Sequence, residues 1–185
     1  MINKFLIVSM SGCGEDYLCE IIYRSVIKDN PFIVNHQKMT ENSLTVSDSF
    51  VGYITEKDLN HLMLSKLSDI YVIVIEDRNP IERYIESLIT SSAEKESIVI
   101  KPKDVENLNM EFLTFRGFVR NFLFKSTFIN YYEFRDNTLE ALSVLPFQVD
   151  ADFIKSNPPI VDNYKEYLKD PSYVEMLSTV YGYHF

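Results

Sequence analysis

Phe5-Leu6-Ile7-Val8-Ser9-Met10-Ser11-Gly12-Cys13-Gly14-Glu15-Asp16-Tyr17-Leu18 decides how the rest of the chain is read. Its first half, Lys4 to Ser9, is a short apolar run of the kind that a parallel sheet covers on both faces. Its second half carries two glycines and then a helical pattern. Leu18, Ile21, Ile22 and Val26 recur on one face, so the spacing predicts a helix over 16–26. A strand that passes through a glycine-containing turn into a helix points backbone N–H groups at an anion, and the helix end adds partial positive charge. Ser11, Gly12, Cys13, Gly14, Glu15 and Asp16 are therefore the first candidate ligand-binding residues, with the Ser9 and Ser11 hydroxyls as further donors.

The turn lacks the side chains that usually complete such a site. A P-loop follows its last glycine with Lys, which contacts phosphate, and then Ser or Thr, which holds magnesium. Here Gly14 is followed by Glu15 and Asp16. That pattern argues against ordinary ATP or GTP hydrolysis. The plain alternative is a strand-to-helix turn with two first-turn acids favoured by the helix dipole.

A second strand-to-helix junction follows the apolar run Ile70 to Ile75. Asp77-Arg78-Asn79-Pro80 is its turn, and Pro80 suits a first helical turn because its missing N–H needs no partner there. Arg78 can clamp a phosphate or sulfate with its planar fork. Ser87, over two turns further along the helix, can add a hydroxyl. Glu82, one turn on, is a competing partner for Arg78.

The remaining elements are read in chain order. Phe32 to Val34 is a short strand. Residues 36–55 are polar and mostly irregular, with Leu44-Thr45-Val46 as a small strand or ordered loop. Thr55 caps a helix carrying Leu59, Leu62, Met63, Leu64 and Leu67. Residues 90–109 form a polar connection, a lid or an exposed loop, with a small apolar patch at Ile98-Val99-Ile100. Met110 to Phe124 is an amphipathic helix whose stripe of Phe112, Phe115, Phe118, Val119, Phe122 and Leu123 is read as core. Thr127 to Phe134 is a strand, and Asp136 or Asn137 caps a helix through Leu145. Tyr173 to Tyr181 is the last helix, with Val174, Leu177, Val180 and Tyr181 inward. This order gives an α/β sandwich around a mostly parallel central sheet, in a single domain over 1–185. Ligands in such folds sit at the carboxyl ends of the strands, where both turns fall.

Composition narrows the function. The chain has 185 residues, 46% of them apolar, which is ample for a core. Its formal net charge is −9 and its pI about 4.8, so no nucleic-acid partner is expected. Cys13 and Cys19 are the two cysteines. They are read as reduced thiols of a cytoplasmic protein, and without nearby histidines they make no metal site. No apolar run is long enough for a membrane span and no signal-peptide pattern is present.

Together the two turns resemble those of the PAPS-dependent sulfotransferases, a family similar in fold to nucleotide kinases that transfers sulfuryl from 3′-phosphoadenosine 5′-phosphosulfate (PAPS). The second signature of that family runs from a hydrophobic strand into Arg, Asp or Asn, and Pro, then often Glu-Arg, then Ser. This chain has Tyr71-Val72-Ile73-Val74-Ile75-Glu76-Asp77-Arg78-Asn79-Pro80-Ile81-Glu82-Arg83-Tyr84-Ile85-Glu86-Ser87. Arg78 takes the position of the Arg that binds the donor 3′-phosphate. The family Ser falls on Glu86, and Ser87 is one residue late, a rotation of about 100° on a helix. The first signature, Pro-Lys-Ser-Gly-Thr-Thr or Pro-Arg-Ser-Gly-Thr-Thr, aligns on Ser11-Gly12-Cys13-Gly14-Glu15-Asp16. The family Lys or Arg falls on Gly12, its Ser on Cys13 and its two Thr on Glu15 and Asp16. Asn130-Tyr131-Tyr132-Glu133 resembles a late family strand that ends in Tyr-Glu.

The resemblance implies PAPS or PAP, its desulfated product, as the bound cofactor and sulfuryl transfer to a small-molecule or protein acceptor hydroxyl. Arg78 and Ser87 would hold the 3′-phosphate, and the first-turn N–H groups the 5′-phosphosulfate. The missing cation would come from Arg24, Lys38, Lys101 or Lys103. A base would come from His61 or His36, with His184 a more remote choice. The alternative is a P-loop-fold protein without catalysis that acts as a binding or regulatory partner. The C-terminal aromatics Tyr164, Tyr167, Tyr173, Tyr181, Tyr183 and Phe185 would then be interface candidates. A divergent nucleotide or small-molecule kinase fits least.

Overall fold

The computed structural model describes residues 4–27, 34–38, 50–56, 67, 69–76, 78–91, 98–120, 126–159 and 164–183. They fall into two units, Met1–Asp77 with Gly117–Pro159, and Arg78–Arg116 with Ile160–Phe185.

The first unit holds the sheet. Strands β1 (Lys4–Ser9), β2 (Val34–Lys38), β3 (Phe50–Thr55), β4 (Tyr71–Glu76) and β5 (Ser126–Asn130) lie in the order β2-β3-β1-β4-β5. Every pairing is parallel. The apolar run of β1 takes the centre, and Phe5 to Val8 are at most 1% exposed. From β1 the chain feeds β2 and β3 on one side, then crosses to β4 and β5 on the other. Ser9 pairs with Thr55 in register, which sets the last residue of β1 beside the end of β3.

Strand β3 is a correction to the reading of 36–55 as mostly irregular. Phe50, Val51 and Ile54 are buried. Gly52 interrupts the run and hides it from a propensity reading. Thr55 is therefore a strand residue, not a helix cap. The proposed strand at Leu44–Val46 and the helix over 57–66 lie outside the described residues. The late strand is also shorter than predicted. It stops at Asn130, whose side chain accepts hydrogen bonds from the N–H groups of Tyr132 and Glu133. This cap opens α4 (Tyr131–Asp136) where the sequence suggested continued strand.

The other helices of this unit are short, apart from α1. Helix α1 (Glu15–Ile22) buries Leu18, Cys19, Ile21 and Ile22 and continues as a π-helical turn over Tyr23–Ile27. Asn137 precedes α5 (Thr138–Ala141) without a side-chain cap, and a 3₁₀ turn follows at Leu142–Val144. Helix α6 (Ala151–Ser156) is capped by Asp150, which accepts from the Phe153 N–H at 3.0 Å.

The second unit is helical. It contains α2 (Pro80–Ser91), most of α3 (Pro102–Val119), a 3₁₀ turn (Tyr164–Tyr167) and α7 (Pro171–Val180). Ile81, Ile85, Ile100, Val105, Leu168 and Val174 form its core, with Leu177, Tyr181 and Tyr183 packed against them. The predicted polar connection at 90–109 is corrected for its described part. The Ile98 N–H donates to Tyr167 O at 2.7 Å, and Ile98 O accepts from Lys169 at 3.1 Å. Ile100 is core, and α3 already begins at Pro102. Residues 92–97 lie outside the described residues.

Phe112, Phe115 and Val119 are buried as read, while Phe122 and Leu123 lie outside the described residues. Val180 is not inward, being 73% exposed at the last position of α7. The aromatic end of the chain packs internally as far as Tyr183. Its ring meets Phe112 edge-on at 5.4 Å, and its hydroxyl donates to Asn109.

Candidate functional site

The turn after β1 has the backbone that the two glycines predict. Gly12 and Gly14 sit at φ 81° and 79°, a left-handed conformation that other residues adopt at a cost of about 1–2 kcal/mol. Gly14 has a second constraint. A Cβ there would lie 3.1 Å from the Phe134 ring. The chain then enters α1 with Gly14 as its N-cap and the Leu18 N–H on Gly14 O at 2.9 Å.

Three amides of this turn are already occupied. The Gly12 N–H donates to one Glu15 carboxylate oxygen at 2.9 Å, and the Cys13 N–H donates to the other at 2.8 Å. The Ser11 N–H donates to Glu56 Oε2 at 2.7 Å, and the Ser11 hydroxyl reaches the same oxygen at 3.2 Å. Two carboxylates thus take the Ser11 hydroxyl and the Gly12 and Cys13 amides, which sequence reasoning assigned to a phosphate. Glu56 follows β3 immediately, so the strand that the sequence hid also delivers the residue it missed. The Ser9 hydroxyl is fully buried and has no hydrogen-bond partner among the described residues.

Glu15 is 7% exposed. Burial pushes its carboxyl above the usual range, bonds from the Gly12, Glu15 and Cys13 backbone pull it back, and the Asp16 charge pushes it up again. Asp16 faces the Tyr53 hydroxyl. Burial, followed by the charge and hydrogen bond of Asp16, pushes Tyr53 up to about 12. Cys13 and Cys19 are buried thiols that form no disulfide among the described residues. Burial, with the acidic charges of Asp16, Glu15 and Glu20, pushes the Cys19 thiol upward, away from the reactive thiolate.

The turn after β4 holds its own arrangement in the second unit. Asn79 caps α2, accepting from the Ile81 N–H at 2.9 Å, and donates through its amide to the buried Ser178 hydroxyl at 3.2 Å. Arg78 is 4% exposed and donates to the Glu86 carboxylate, which is 40% exposed. Glu86 stands where the resembling family has Ser, and it forms an ion pair with Arg78. Ser87, the other residue read as a ligand to the 3′-phosphate, lies on the same helix. It is exposed, and its hydroxyl turns back to Tyr84 O at 2.7 Å.

The other predicted groups divide similarly. Arg24 donates to Glu20 at 2.5 Å and lies over the Phe153 ring at 4.4 Å. Lys101 and Lys103 are exposed around the start of α3. His36 and Lys38 lie in β2, but their side chains, like His61 and His184, fall outside the described residues. Among the described residues, no group of three or more His, Cys, Asp or Glu could hold a metal ion. No helix of the described residues is long and apolar enough to cross a membrane. A cavity of about 420 Å³ at the carboxyl end of β5 is lined by Phe128, Asn130, Tyr132, Glu133, Asp136 and Glu140 among others, and includes none of the predicted site residues.

No protein-family model matches the chain, and no curated protein matches it. A solved structure similar to it is that of mouse sulfotransferase SULT7A1 complexed with PAP. The two are 14% identical, the similarity covers 95% of this chain and 67% of that one, and the TM-score is 0.48. It is a distant similarity to an α/β protein. The PAPS group implied by the sequence resemblance does not fit the turn after β1 as built. Its Ser11, Gly12 and Cys13 donors hold carboxylates, and Gly12 stands where that family has its cation.

Proposed function

We propose that this chain is a non-catalytic protein of sulfotransferase-like α/β fold, acting in the cytosol as a binding or regulatory partner. One observation carries the reading: the Ser11, Gly12 and Cys13 amides are bonded to the carboxylates of Glu56 and Glu15. A sulfuryl or phosphoryl donor stabilises its transition state through such donors and a nearby cation. Here a bound donor would meet two negative charges instead. The engagement of Arg78 by Glu86 supports the same reading at the second motif.

Calorimetric titration with PAP, using ATP as the control, tests the reading on the wild type and on Arg78→Ala. The expected result is no saturable PAP binding by folded wild-type protein. Saturable binding that ATP does not match, and that Arg78→Ala abolishes, would overturn it in favour of a surviving donor site and a PAPS-dependent enzyme.

A further inference from the structure

The position of Glu15 is unusual for a first-turn acid. Such a residue satisfies the helix dipole from the surface, in contact with water. Glu15 instead turns back under the loop, is 7% exposed and has no basic partner among the described residues. Its charge is held by hydrogen bonds from the turn. The two oxygens sit on successive amides, a concave arrangement of donors that also suits an oxyanion.

A second observation points the same way. Ser9 ends β1 just before the turn, and its hydroxyl is fully buried without a hydrogen-bond partner among the described residues. Leaving a buried hydroxyl unpaired is unfavourable. Such a donor is one that Glu15 and Glu56 do not use.

We propose that Glu15 is an autoinhibitory plug, its carboxylate occupying the seat of an external sulfate or phosphate group on the Gly12 and Cys13 amides. The inference rests on the reading that the turn is closed in the native chain. Removing the carboxylate vacates both amides and removes the nearest negative charge. Burial already raises the Glu15 carboxyl above its usual range, so its charge is poorly matched to this setting. Glu56 remains on Ser11, and Asp16 remains on the helix with its Tyr53 partner. The opened seat is therefore a modest one that takes a small oxyanion.

The test is an NMR titration of full-length protein with inorganic sulfate, following the Ser11, Gly12 and Cys13 amide signals, with PAP in a parallel series. Glu15→Ala is expected to bind sulfate on the order of tenfold to a hundredfold more tightly than wild type, the equivalent of recovering a charge-assisted hydrogen bond. Glu15→Gln keeps the shape of the side chain, removes its charge and serves if the alanine variant does not fold. It should show a smaller gain in the same signals. A folded Glu15→Ala or Glu15→Gln protein that binds sulfate no better than wild type overturns the plug and leaves the non-catalytic reading intact. Arg78-dependent PAP binding by wild type overturns that reading itself. Gain for sulfate without gain for PAP assigns the seat to a free oxyanion; gain for both assigns it to the phosphate end of a nucleotide.

Discussion

At the turn after β1, the anion-binding groups are backbone amides fixed by two left-handed glycines, and the carboxylate that fills them is nearly buried. At the turn after β4, the anion-binding group is a side chain, and the carboxylate that fills it is 40% exposed. Both carboxylates are glutamates, at positions where the resembling family carries Thr or Ser. A hydroxyl there would add a donor to a bound anion; a carboxylate takes the donors itself. The difference lies in how firmly each is held. Backbone donors cannot rotate away and water is largely excluded, so Glu15 is confined by the fold. Glu86 retains solvent on one side, where screening weakens the pair.

The largest effect is expected from the backbone. Gly14→Ala should lower stability by about 2 kcal/mol in urea unfolding, combining left-handed strain with the displacement of Phe134. No measurable loss would mean that the turn tolerates another conformation and that its rigidity is not what holds Glu15. Glu86→Ala should cost about 1 kcal/mol, with the loss shrinking at high salt. A salt-independent loss of about 3 kcal/mol or more would place the Arg78 pair in the buried class and erase the contrast.

The smallest signal is the pH dependence. The Glu15 pKa lies above its ordinary value of 4.5 in the folded chain, so the folded state binds this proton more tightly than the unfolded one. Its contribution to stability therefore rises as pH falls from the folded pKa toward 4.5, and is lost as pH rises through the folded pKa. Unfolding of wild type and Glu15→Gln at several pH values isolates it. The wild type should gain on acidification relative to the variant, and a gain in the opposite direction would show that the amide bonds outweigh burial.

Much of the architecture was legible because its signals are local. The apolar runs of β1 and β4 have no polar interruption, and a chain that repeatedly alternates such runs with helical periods has few ways to bury them other than a parallel sheet. Pro80 marked the start of α2 for a reason contained in one residue. The failures were of two kinds. Gly52 broke the pattern of β3, and Asn130 ended β5 through a cap whose acceptor role depends on where the chain turns. At Ile98–Ile100 an apolar patch that looked like part of a loop was drawn into a core by pairing with Leu168, about seventy residues away in sequence.

The candidate turn itself was found from two glycines and a strand, and the loss of its cation was plain from Gly12. By itself the sequence determined that this junction would be a donor-rich turn without a Lys, because left-handed backbone and residue charge are properties of the residues present. Only the tertiary structure decided what the donors would bind. Glu15 could have faced solvent, and Glu56 lies far along the chain. Pairing β3 beside β1 brings Glu56 to the Ser11 amide, and burial of α1 against the sheet leaves the Glu15 carboxylate the Gly12 and Cys13 amides as partners. A hydrogen bond needs both groups within about 3 Å, and such proximity between distant segments is set by the fold.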